Sequence, residues 1–237
     1  DSTAWWRWAE QPMSLIGRDR ELRIVREHLC AGKNLVVFGA EGVGKTALVT
    51  EATRSHPNVL YCAHSATLKS ACESLLGQLQ LMVPDADNVA RKRAILKATA
   101  GKKCRFVFDH VGWVSPKLVS FLNNIHESYS MIVVTRSIAW SDMGHLKMIL
   151  WDFDKLELTP LSHGAMRQVL RAQVRQLRLR TPDVERFEAD VLRIAGHNLH
   201  VLMALCQQVA SGKYTLGKQF PARLLDLDRR IKELNLP

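Results

Sequence analysis

The sequence predicts an α/β protein, a parallel five-stranded sheet flanked by helices, followed by a small all-helical unit. Three observations carry that prediction. Short apolar runs recur along the first two thirds of the chain, separated by stretches of helical periodicity. The first of these runs, Leu35-Val36-Val37-Phe38, leads directly into a glycine-rich loop over 39–46. Beyond Leu158 the strand signal stops while helical patterns continue. Buried strands alternating with helices mark a parallel sheet, because each crossover lays a helix on one of its faces.

The elements follow in order. Residues 1–14 have no clean period, hold Trp5, Trp6 and Trp8, and read as an anchor onto the protein's own core, or as an arm onto a neighbour or a nucleic acid. From Leu15 to Cys30 the apolar positions Leu22, Val25 and Leu29 recur at helical spacing, with Asp19 as the expected cap and Ala31-Gly32-Lys33-Asn34 as the stop. After the strand 35–38 and a loop helix over about 45–55, Pro57-Asn58 breaks the chain and Val59-Leu60-Tyr61-Cys62 reads as a second strand. Helices are expected over 67–82 and 87–99, divided by Val83-Pro84-Asp85. The strand Cys104 to Asp109 comes next, then a helix from Ser115-Pro116 to Glu127, the strand Met131 to Thr135, and a last strand signal at Leu156-Glu157-Leu158. Helices over 162–178, 183–195, 198–211 and 221–235 complete the chain. The expected division is an arm over 1–14, an α/β domain over 15–158 and a helical domain over 159–237.

The loop carries the chemistry. Gly-Ala-Glu-Gly-Val-Gly-Lys-Thr matches G-x-x-x-x-G-K-[ST] in full, which predicts binding of a nucleoside triphosphate with Mg²⁺. Gly39, Gly42 and Gly44 can adopt backbone angles that turn successive N–H groups around phosphate oxygens, with Ala40, Glu41 and Val43 between them. Lys45 adds a point charge, Thr46 offers a hydroxyl to the metal, and a helix starting near Gly44 and running through Ala47 aims its positive end at the same phosphates. A second strand must then bring a carboxylate to the metal's outer shell. Asp109, behind Phe106-Val107-Phe108, is the residue placed for it.

Composition narrows the partners. The chain has 33 Lys plus Arg against 23 Asp plus Glu, a formal charge of +10, which favours polyanions such as DNA. Arg167, Arg171, Arg175 and Arg178 fall on one stripe of a helix whose apolar side is Leu170, Val174 and Leu177, with Arg180 just beyond. A second basic cluster is Arg91-Lys92-Arg93 with Lys97, Lys102, Lys103 and Arg105. Either group can follow a phosphate backbone or be ordinary solvated charge. The 5 cysteines include no C-x-x-C pair, no run is long enough to span a bilayer, and residues 1–8 lack a signal-peptide layout, so a cytoplasmic protein is expected. With Asp1 first, the chain reads as a piece of something longer.

Further motifs resemble those of the AAA-type and STAND-type P-loop ATPases, particularly the group with archaeal ORC/Cdc6-like and transposition-helper and secretion-type ATPases. Leu15-Ile16-Gly17-Arg18-Asp19-Arg20-Glu21-Leu22 resembles the G-R-x-x-E-L box, which implies that Gly17 and Arg18 lie near the adenine. Met131 to Arg136 is similar to the sensor strand, whose Thr135 and Arg136 are then expected at the γ-phosphate. Leu158-Thr159-Pro160-Leu161-Ser162 looks like the start of the helical lid, Ala195 to Leu199 stands in the place of its G-x-P motif, and Val201 to Cys206 resembles the helix that follows.

The chain departs from the pattern at His110, where the family places a second acid, which implies slow hydrolysis or a histidine acting as base. Asn198 replaces the lid proline, and no arginine stands at the second-sensor spacing, where His200 is the partial substitute. The resemblance implies a homo-oligomer, a ring or filament coating DNA, completed by a neighbour's arginine for which Arg136 and Arg105 are the candidates. Its rivals are a STAND-type signalling module with a protein partner and a weakly hydrolysing ATP-binding scaffold. No N-K-x-D motif is present, as a GTPase would need, nor the arginine-rich phosphate lid of a small-molecule kinase.

Overall fold

The computed structural model describes residues 15–83, 87–179, 183–211 and 222–234. The N-terminal arm, Pro84-Asp85 and Arg180 lie outside the described residues. The chain divides into two compact units, one of residues 1–40 and 45–158, the other of 41–44 and 159–237.

The first unit is built on five parallel strands in the order β2-β3-β4-β1-β5, where β1 is Leu35–Phe38, β2 Val59–Cys62, β3 Arg105–Val111, β4 Ser130–Thr135 and β5 Asp154–Glu157. The strand β1, between β4 and the edge strand β5, pairs Leu35 with Ile132 on one side and with Asp154 on the other. β5 closes one edge, is mostly exposed and is charged at every position but Leu156, so its apolar signal could not reveal that it starts at Asp154 rather than Leu156.

Alternation sends Val36, Leu60, Cys62, Phe106, Phe108, Met131 and Val133 to one face, where they form a single core with α3 (Leu68–Gln78), α4 (Asn88–Thr99) and α5 (Pro116–His126). Phe106 and Phe108 stack with centroids 6.2 Å apart, and Tyr129 meets Phe106 edge-on. The alternate residues Leu35, Val37, Val107, Ile132 and Val134 are equally buried and outside that cluster. That leaves their face to α1 (Asp19–Ala31), burying Val25 and Leu29, and α2 (Lys45–Thr53), burying Leu48, Val49 and Ala52.

Local chemistry sets most helix starts. Thr67 and Ser70 form a reciprocal capping box on α3, Asp87 caps α4, and Ser115 caps α5 with Pro116 in its first turn. The expected cap of α1 is corrected: Asp19 is its first helical residue, and Arg18 precedes it without a side-chain cap, because the turn at Gly17 (φ +75°) already closes Arg18 N–H onto Leu15 O at 3.0 Å. Gly32 ends α1 in the left-handed conformation, as the sequence leads one to expect. α3 ends at Gln78, four residues before the expected 82, with Gln80 at φ +54° turning the chain away.

Residues 137–153 carry no period, yet they form α6 (Trp140–Met143) and short 3₁₀ turns over Gly144–Met148 and Leu150–Asp152. Met143, Leu146, Leu150 and Phe153 are anchored in the core, so tertiary burial rather than periodicity holds this segment.

The second unit contains α7 (His163–Gln176), α8 (Val184–Ala195), α9 (Leu199–Ala210) and α10 (Ala222–Leu234). Ser162, Asp183 and Asn198 cap the first three of these, each accepting from the amide three residues on. α7 buries Met166, Val169, Leu170 and Gln173, so its inner face is rotated from the expected Leu170, Val174 and Leu177.

Candidate functional site

The glycine-rich loop joins β1 to α2 with no residue to spare, β1 ending at Phe38 and α2 opening at Lys45. Gly39, Gly42 and Gly44 take φ of +151°, +78° and +98°, angles closed to most other residues. Gly39 also lies hard against the chain after β5, so close that a β-carbon would sit 2.3 Å from the Leu158 carbonyl oxygen. Lys45 folds back over the loop, its Nζ donating to Gly39 O at 2.7 Å and to Ala40 O at 2.8 Å. Val43 is buried while Glu41 is exposed, and Ala47 is half-buried in the first turn of α2. Within the second unit, which takes in Glu41–Gly44, Leu199 N–H donates to Gly42 O at 2.9 Å.

The carboxylate strand differs from expectation. β3 does not end at Asp109 but continues to Val111, with a register shift: Phe108 faces Val133 and Val111 faces Thr135, so β3 carries one residue more than β4. That residue is accommodated by His110 at φ +54°. The physical reason is burial. Without the bulge, strict alternation would put His110 on the core side with Phe108; with it Val111 returns to that core and His110 turns outward.

The bulge gathers a cluster. His110 Nε2 lies 3.5 Å from Thr46 Oγ1 and 3.8 Å from Asp109 Oδ2. Asp109 is only 1% exposed; its Oδ1 accepts the His110 backbone N–H at 2.7 Å and its Oδ2 accepts the Tyr61 hydroxyl at 2.6 Å. Tyr61 is a residue the sequence marks only as part of a strand. Alternation places it opposite Leu60 and Cys62, on the Asp109 side, and Thr50 of α2 donates to its hydroxyl oxygen at 3.4 Å. Burial first, and the Asp109 charge second, push the Tyr61 pKa well above the ordinary tyrosine value.

The other expected site residues fall in varied surroundings. Arg18 is 4% exposed and pairs with Glu21 at 3.0 Å, so the two charges of the G-R-x-x-E-L box close on each other beside the Gly17 turn. Thr135 is buried, its hydroxyl donating to Ser137 O at 3.2 Å and lying 3.1 Å from Met143 Sδ, whereas Arg136 is exposed. Arg105 reaches back to Cys30 O at 3.1 Å.

The basic stripe is interrupted. Arg167, Arg171 and Arg175 are exposed on α7, but Arg171 donates through Nε and Nη2 to the two carboxylate oxygens of the buried Glu188 of α8, at 2.7 and 3.0 Å. Arg178 lies past the end of α7 at φ +51° and so leaves the helical row. In the other cluster Arg91 packs on α3, 3.7 Å from Glu73, while Lys92 is half-buried and Arg93, Lys102 and Lys103 are exposed.

The residues present suit the groups that the loop predicts. Thr46 and Asp109 are hard oxygen donors near one point, and the buried Asp109 charge is met there by a phenol and a backbone amide. Lys45 holds its charge at the same loop by donating to the Gly39 and Ala40 carbonyls. Among the described residues, no helix is long and apolar enough to cross a membrane.

Comparison with known proteins agrees with this architecture. No curated protein matches the sequence. Among solved structures, the chain is similar in fold to Aeropyrum pernix ORC1, determined in complex with DNA, with a TM-score of 0.75, 16% identity, and coverage of 98% of this chain and 72% of that one. It is similar to Cdc6p from Pyrobaculum aerophilum with a TM-score of 0.66, 11% identity, and coverage of 85% of this chain and 63% of that one. Domain III of the Thermotoga maritima replication initiation protein DnaA gives 0.60, 17% identity, and 92% and 90% coverage. The sequence pattern of the AAA ATPase domain matches residues 14–205, most of the chain. With that pattern spanning most of the chain, the chain belongs to the AAA ATPase domain family, on an ORC/Cdc6-type fold with a five-stranded parallel core.

Proposed function

We propose that this protein is an ATP-dependent switch that binds ATP with Mg²⁺ at residues 39–46, assembles on DNA in its ATP form, and hydrolyses ATP slowly. The observation that carries the reading is that Gly39 at positive φ, Lys45 and the start of α2 adjoin Thr46, and that Thr46 and Asp109 both border the His110 imidazole. The loop amides and the α2 dipole bind the phosphates, and Lys45 exchanges its two loop carbonyls for phosphate oxygen. Thr46 and Asp109 hold Mg²⁺, which supplies charge neutralisation at the phosphates. The Gly17-Arg18 turn takes the adenine end, and Arg136 reads the γ-phosphate, while Thr135, tied to Ser137, supports the strand end.

Slow hydrolysis follows from His110. The exposed imidazole stands where the family carries a carboxylate, and a neutral imidazole polarises water less than an anion does. The DNA reading draws on the ORC1, Cdc6p and DnaA folds and on the exposed cations Arg93, Lys102, Lys103, Arg167 and Arg175. Oligomerisation into a ring or filament, and the division into an arm, an ATPase domain and a lid, belong to the same proposal.

Binding of a fluorescent ATP analogue tests the nucleotide half. Wild type binds it, and Lys45→Ala loses that binding while its circular dichroism and melting stay near wild type; unchanged affinity would refute the loop assignment. Anisotropy of labelled duplex and single strands across a salt series, with ATP or ADP, tests the DNA half. Affinity with ATP should fall with salt by a log-log slope of roughly 0.9 for each phosphate neutralised on duplex. Absence of any salt-dependent affinity would leave the signalling module with a protein partner as the better reading.

A further inference from the structure

Asp109 is the carboxylate on which the metal half of the site depends, and the side chain that fixes it comes from a neighbouring strand. We propose that Tyr61 of β2 is a positioning residue for the divalent cation, its hydroxyl holding the Asp109 carboxylate in a single orientation so that the cation meets a preset ligand. The proposal rests on the reading of residues 39–46 as an ATP-Mg²⁺ site, and nothing in the phosphate-loop motif points to Tyr61.

Three sets of contacts support it. The Tyr61–Asp109 bond is 2.6 Å, the length of a charge-assisted O–H···O⁻ bond rather than an ordinary hydroxyl contact. Thr50 Oγ1 donates to the Tyr61 oxygen at 3.4 Å, a longer contact that agrees with that oxygen's own hydrogen going to Asp109. The backbone of Tyr61 is held too. β2 is an edge strand, and on its open side Gln78 of α3 accepts from Tyr61 N–H at 2.8 Å and donates through Nε2 to Tyr61 O. α3 therefore sets where Tyr61 sits, and the Tyr61 hydroxyl passes that placement to Asp109. A carboxylate so held loses no rotational freedom when a cation arrives, and removing such an outer partner costs metal affinity.

The test is the affinity of a fluorescent ATP analogue in EDTA and across a Mg²⁺ titration, for wild type, Tyr61→Phe, Thr50→Val and Gln78→Ala. Tyr61→Phe should bind as wild type does in EDTA, yet need about 10- to 100-fold more Mg²⁺ for the metal-dependent gain in affinity. Thr50→Val, which leaves the Tyr61 hydroxyl on Asp109, should keep the wild-type Mg²⁺ dependence. An unchanged Mg²⁺ requirement in Tyr61→Phe overturns the proposal, as does an equal loss in Thr50→Val, which would make the effect one of packing between α2 and β2. Should Tyr61→Phe fail to fold, Gln78→Ala decides: a rise in the Mg²⁺ requirement supports the positioning role and no rise overturns it. Wild type that binds no nucleotide in either buffer defeats the loop reading instead, and so separates the two failures.

Discussion

Replacing Gly39 with alanine puts the packing of the phosphate loop to its most direct trial. The new β-carbon would lie 2.3 Å from Leu158 O and 3.2 Å from its carbonyl carbon, where ordinary contact begins at 3.4 Å. Both obstacles are backbone, so relief requires the loop or the chain after β5 to move by more than an ångström. Leu158 cannot yield freely, because its N–H is bonded to Phe38 O at 2.7 Å; nor can Gly39, whose carbonyl accepts from Lys45 and whose N–H donates to Arg136 O. A non-glycine residue at φ +151° adds about 1–3 kcal/mol of conformational strain, and an overpacked contact costs a further 1–3 kcal/mol or so. For a chain of this size each kcal/mol lowers the melting temperature by about 2–4 °C, so a fall of at least about 4 °C is expected. The matched control is Gly164→Ala within α7, where nothing lies within 4 Å and the change should be neutral or stabilising by up to about 1 kcal/mol. Calorimetry of both variants, with a nucleotide-binding measurement, is the assay. If Gly39→Ala melts with wild type and binds nucleotide as well, the account of the loop as clamped between β1 and the chain after β5 is wrong.

Other expectations can be checked more briefly. Phe121→Ala removes a fully buried ring at the centre of the larger core and should cost about 3–5 kcal/mol in denaturant unfolding. His110→Glu should raise phosphate release under saturating ATP; no increase would show that the imidazole is not what limits turnover. Burial pushes the Cys206 thiol up to about 12 and the Cys72 thiol up to about 11, so both should resist alkylation near pH 8 while exposed Cys30 reacts. The same raised values mean that these thiols contribute stability below their unfolded pKa of about 8.5, and that it is lost as pH rises through 11 to 12. A melting temperature that stays flat over that alkaline range would contradict their burial.

The residues legible in advance are those whose roles are local. The phosphate loop is a contiguous run whose glycines must take positive φ to link β1 to α2 so tightly, and the starts of the helices near residues 67, 87, 115 and 162 follow from local pattern, although the one cap expected by name, Asp19, is not a cap. Apolar runs place the inner strands because a strand buried on both faces must be apolar throughout. The same logic fails at the edge: β5 pairs only with β1 and starts on charged residues, so half of it is silent. Residues 137–153 are silent for a related reason, since their helical turns are too short to show a period and are held by core contacts.

Sequence alone therefore determined the fold class, the loop, and the strand on which Asp109 lies, because each is written in backbone propensity and spacing along one stretch of chain. Tertiary structure decided what those groups face. It extended β3 past Asp109 through a bulge at His110, because Val111 had to return to the core. It gave Asp109 a hydroxyl from Tyr61, 48 residues away, and turned Arg171 from a free cation into the partner of buried Glu188. These are contacts between elements far apart in sequence. Their geometry is fixed only when strand pairing and helix packing bring them together, and no local pattern encodes a distance between side chains that meet only in the folded state.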